Sequence, residues 1–170
     1  MIGSSPIQTT YTQYQKAGQA GMIASTIGWD IDSCIVDDPA GAGIGFGLAV
    51  SKGTASERAV TLGQLSGGDF VGITVADPTL PNLSATFTDK FQDTENVGVL
   101  VRGDIFVVPA TNVTAGGAVY YNSSTGQLGD SGIANAVLIS NAKWMSSYPA
   151  TDPGGEASQI AIVRLGSLPA

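Results

Sequence analysis

Apolar and polar residues alternate along much of this chain, in short runs set apart by glycine, proline and asparagine. Side chains on a strand point alternately to its two faces, so runs of this kind predict β-strands. The strongest is VGVLVRGDIFVV, residues 97–108. Val97, Val99, Val101, Ile105 and Val107 fall on one face, and Gly98, Leu100, Arg102, Asp104 and Phe106 on the other. A run this long is expected to bend or bulge at Gly103. In DFVGITVAD, Val71, Ile73 and Val75 share a face, and AVTL at 59–62 is a weaker strand. GGAVYYNSSTGQLGD predicts strand, turn and short strand; AVLIS, KWMSSY and QIAIVRL follow as further strand segments.

The stretch GAGIGFGLAV, residues 41–50, reads as a strand entered by a Pro-Ala-Gly-Ala-Gly turn. Ile44, Phe46, Leu48 and Val50 share one face. Gly45, Gly47 and Ala49 leave the other nearly bare, which admits a second backbone or sheet at close range. Its glycines do not make a phosphate loop: the third position of G-x-G-x-x-G falls on Phe46 or Leu48, and no Gly-Lys-Ser/Thr triplet occurs.

No long helical period survives the glycines. Residues 1–30 are polar with spaced aromatics and are expected to form an extended arm, mobile in isolation because too little apolar area offsets the cost of ordering its backbone. DPTLPNLS, residues 77–84, carries two prolines and reads as loop, and 86–96 as an exposed strand plus loop or one helical turn. The fold expected is all-β: a small β-barrel or sandwich-like domain over residues 31–170 behind an N-terminal arm, 1–30.

Composition sharpens this picture. Among 170 residues, charged side chains make up only 12% and glycine accounts for 23. Ordinary soluble domains are about 25% charged, so much of this surface is expected to be covered by copies of the chain or by a partner. The net charge of −7 and the scattered basic residues argue against nucleic acid and against a polybasic membrane contact. No apolar run approaches the roughly 20 residues of a membrane span, and MIGSSPIQTT shows neither half of a signal peptide.

Candidate chemistry is sparse. The chain has no histidine, no G-x-S-x-G elbow and one cysteine, Cys34, flanked by apolar residues and expected to be a buried small hydrophobe. Asp30, Asp32, Asp37 and Asp38 cluster in sequence, but without a calcium-loop spacing they predict a solvated acidic turn and no metal. No cofactor is expected. Arg102-Gly103-Asp104 copies an adhesion tripeptide, yet inside the best strand its charges are expected to meet cross-strand partners. Asn82, Asn112 and Asn122 match the glycosylation pattern by chance. Trp29 and Trp144 suit either core packing or interface anchoring.

In order and spacing, five blocks resemble the structural cement (capsid decoration) proteins of tailed bacteriophages: GFGLAV, FVGITVADPT, residues 97–107, GGAVYYNSSTGQLG and AKWMSSYPATDPGGEASQIAIVRLG. The likeness spans residues 8–166. It implies a non-enzymatic virion protein on the outer surface of the capsid, cementing joints between major capsid proteins. A homotrimer matches the local three-fold points of a head lattice; a dimer is the rival. In the arm, Tyr11, Tyr14, Met22 and Trp29 are the expected interface anchors. The alternative is a secreted or surface β-module, an adhesin or glycan binder.

Overall fold

The computed structural model describes residues 18–25, 28–62, 69–77, 90–151 and 157–166. Its strands, in chain order, are β1 Asp30–Val36, β2 Ile44–Gly45, β3 Ala49–Lys52, β4 Ala59–Leu62, β5 Phe70–Thr74, β6 Lys90–Phe91, β7 Asn96–Val107, β8 Ala118–Asn122, β9 Leu128–Gly129, β10 Ala136–Trp144, β11 Ala150–Thr151, β12 Ala157–Ser158 and β13 Ala161–Leu165. No helix occurs among the described residues.

Five strands close a ring. β7 pairs with β5, β5 with β3 and β3 with β4, all antiparallel; β4 pairs parallel with β1, and β1 returns antiparallel to β7. The interior is filled from every wall: Cys34 and Val36, Val50, Val60, Val71, Val97 and Val99, with Ile44 and Phe91 from the β2–β6 hairpin. Phe46 and Phe91 meet edge to face at 5.4 Å, an arrangement aromatic pairs favour.

The far half of β7 leaves the ring and starts a second sheet, β7–β13–β10–β8–β9. That sheet lays Ile105, Val107, Val119, Tyr121, Ile139, Trp144 and Val163 against Ala49, Ile73 and Leu100. Barrel and sandwich are both present, joined by one long strand. Gly103 makes the junction at φ 128°, a conformation that side chains rarely adopt. Its bend also explains why Leu100 and Ile105, placed on opposite faces by alternation, share one core.

Residues 44–50 are not one strand. β2 and β3 are separated by a turn at 46–47, with Gly47 at φ 69°. Thr74, fully buried, fastens that turn: its hydroxyl donates to Gly45 O at 2.8 Å and accepts from Leu48 N at 3.0 Å, and its carbonyl accepts from Gly47 N. The bare side is occupied by two neighbours. A Cβ on Gly47 would lie 3.0 Å from Gly21 N and 3.4 Å from Phe106 O, while Ala49 is buried in the second core.

Two further readings change. Val71 packs into the barrel while Ile73 and Val75 pack into the second core, because the β3–β5 register shifts between Val50 and Ser51. AVLIS and the first two residues of KWMSSY, Lys143 and Trp144, belong to one strand, β10, whose register with β8 shifts between Ile139 and Lys143; Met145–Tyr148 lie beyond its end. Within 86–96, the described part is the short β6 followed by a turn.

Candidate interaction surface

The arm's described part runs along β7. Gln19 O accepts from Met22 N to close a turn, and the chain then bonds β7 through Gly21 N to Phe106 O at 2.8 Å, Phe106 N to Met22 O at 2.9 Å and Ala24 N to Asp104 O at 2.7 Å. Gly21 O also accepts from Ala76 N. Ile23 opposes Ile105 and packs into the second core, which sends Met22 outward. Further on, Trp29 rests on Gly103, whose missing Cβ would lie 2.8 Å from the Trp29 Cβ. Met22 is 47% exposed and Trp29 46%. Tyr11 and Tyr14 lie outside the described residues.

These two side chains belong to different surfaces. Met22 opens a row across the outer face of the second sheet. Phe106 is opposite Ile162, and Met145 N bonds Ile162 O at 2.8 Å, one step beyond the Trp144–Val163 pair. Met145 is exposed; Phe106 and Ile162 are half-buried. Trp29 instead heads β1, where Ile31 and Ile35 are exposed on the strand's outward side while Cys34 and Val36 point into the barrel. Sequence alternation had set Phe106 on the face of its strand that also carries Arg102 and Asp104. The signal that was available is the match of Phe106 with the apolar members of 161–165.

The charges of this surface are arranged by the strands. Two residues from Phe106 and Ile162, Asp104 and Arg164 pair across β7 and β13 through two hydrogen bonds, both 2.7 Å. This fork pushes the guanidinium pKa further up. Arg102 meets Asp30 across β1 at 2.8 Å. Both charges of the adhesion-like tripeptide are therefore spent on cross-strand partners, as alternation implied.

The acidic residues before the glycine stretch are dispersed rather than gathered. Asp37 accepts from Thr54 N at 2.7 Å and Ala55 N at 3.0 Å, bonds that hold its carboxyl below its ordinary range. Asp38 accepts from Gly43 N at 2.6 Å and its own N–H donates to Asp93. Among the described residues, no three metal-ligating side chains come together. Cys34 is buried, and burial, helped by Asp32 and partly opposed by Arg58, pushes its thiol pKa up. Such a thiol is a poor nucleophile at neutral pH. Asn122 is buried, its Oδ1 accepting from Ser124 N and Thr125 N within the β8–β9 turn; Asn112 is exposed, and Asn82 lies outside the described residues. Trp144 is a core residue, 1% exposed.

What remains at the surface is a set of apolar side chains on fixed strands, suited to binding. Among solved structures, a chain of "The capsid of Myoviridae Phage XM1" shares this fold at a TM-score of 0.68, with 13% identity over 96% of this chain and 99% of that one. None of the curated proteins matches. The model of the phage structural cement protein family matches residues 7–166, nearly the full length. The chain belongs to that family, and it is a structural protein of the virion that stabilises the capsid.

Proposed function

We propose that the protein binds the outer surface of the phage head as a homotrimer and bridges neighbouring major capsid proteins, by contact alone and without catalysis. The observation that carries this reading is the state of Met22 and Trp29. Both are nearly half exposed, yet the backbone around Met22 is hydrogen-bonded to β7 and Trp29 rests on it. Large apolar side chains displayed on an ordered backbone bind at little further cost in chain entropy. Tyr11 and Tyr14, upstream on the same arm, complete the set of anchors. The low charge content fits a surface that is covered on the virion.

Co-sedimentation with empty heads tests it. The wild-type chain is expected to saturate at a fixed ratio. Replacing Met22 and Trp29 together by serine is expected to weaken binding more than tenfold, since two such anchors are worth a few kcal/mol, and about 1.4 kcal/mol is tenfold. Unchanged binding by a folded double variant would refute the assignment of these anchors.

A further inference from the structure

Among the described residues, two buried side-chain atoms have no hydrogen-bond partner: the hydroxyl oxygen of Ser51 and the indole nitrogen of Trp144. The indole only donates, whereas the hydroxyl can donate and accept, and it stands across from a second hydroxyl. Ser51 is opposite Thr61 in the unbroken β3–β4 ladder. Val50, Val60 and Leu62 turn toward the barrel interior. Ser51 and Thr61 therefore share the outer side of that wall with Ala49, which packs in the second core. Directly opposite residues have Cβ atoms about 5 Å apart, yet the Ser51 hydroxyl does not bond that of Thr61.

The place is both enclosed and polar. Ser51 is fully buried, and Thr61 is 8% exposed. Phe70, opposite Ser51 on β5, meets the Tyr121 ring at 5.7 Å. From the β8–β9 turn, Gly126 O accepts from Ala49 N at 2.8 Å. The β3–β5 register shifts between Val50 and Ser51, and a shift of this kind takes backbone groups out of the ladder. A buried hydroxyl left without a partner is costly, and an internal water is held by about two to four polar groups. We infer that Ser51 and Thr61 hold one ordered water between the barrel wall and the second sheet, with a backbone group freed by the register shift as its third partner. The site belongs to the chain itself and is read without heads.

A high-resolution crystal structure of the full wild-type chain tests this. A water is expected within about 2.7–3.2 Å of both hydroxyl oxygens. A Ser51 hydroxyl bonded directly to a protein atom with no water beside it would overturn the site, and so would a water that touches Ser51 but not Thr61. Unfolding in urea gives a second reading. Ser51→Ala and Thr61→Val are each expected to raise the unfolding constant about fivefold, the worth of one buried hydrogen bond. The double variant is expected to fall well below the product of the two, because both changes break one bridge. A Ser51→Ala chain as stable as wild type would overturn the site, since a hydroxyl with no partner is lost at no cost; so would single effects that multiply in full. If a variant does not fold, the wild-type density decides.

Discussion

A methyl group on Gly72 would fall on the carbonyl of Leu100 and within 2.7 Å of a Val99 methyl. β5 and β7 meet there to close the barrel, so the position tolerates no side chain. Gly72→Ala is expected to cost more than about 2 kcal/mol in urea denaturation, or to prevent folding, as overpacking in a rigid site does; a wild-type midpoint would argue against the closed ring. Asp37 acts through charge. Its two backbone hydrogen bonds favour the ionised form in the folded state, lowering its pKa below the ordinary 3.8. The stability it contributes is therefore present above that value and lost as pH falls through the folded pKa. Asp37→Asn is expected to cost about 1 kcal/mol at pH 7, with the gap to wild type closing in acid. A gap that stays constant down to pH 2 would contradict the linkage. Because Asp30, Asp37 and Asp38 each serve a different partner, a chelator is expected to leave the melting temperature unchanged. A drop reversed by Ca²⁺ would show a cation site.

At the scale of elements, β7 organises the molecule, and it was also the clearest strand in the sequence. Its valines at 97, 99 and 107 announced a buried strand, and Gly103 announced the bend. What alternation did not reveal is that the two halves of this strand serve different cores. That follows from partners distant in sequence, β5 and β1 on one half and β13 on the other. The break at Gly47 was hidden for the same reason: Thr74 and Gly21, which fix it, are both more than twenty residues away. The exposed apolar rows were half legible. Met22 and Trp29 stood out as large side chains in a polar segment, whereas Met145 and Ile162 gain their meaning only from the β10–β13 register. The arm divides accordingly. Removing residues 1–17 is expected to leave the β-sheet signature and melting temperature nearly intact. Removing residues 1–24 also strips the bonds to Asp104 and Phe106 and the Ile23 contact, and is expected to lower the melting temperature by several degrees. Equal melting of the two truncations would show that residues 18–24 lend the fold no stability.

For the whole molecule, the ring and the second sheet share β7, the chain carries few charges, and its described surface shows two apolar stripes, Met22–Phe106–Ile162–Met145 and Trp29–Ile31–Ile35. A subunit of that kind suits assembly. Sedimentation velocity is expected to show a trimer, and a chain that stays monomeric both alone and on heads would remove the trimer from the account. The central claim is that the protein strengthens the capsid. It is tested most directly by the temperature at which heads assembled without this protein come apart, measured before and after the purified chain is added to saturation. The account predicts a higher temperature with the protein bound, and a smaller gain with the Met22 and Trp29 double-serine variant at the same concentration. Heads that come apart at the same temperature with and without a full complement of bound protein would contradict it.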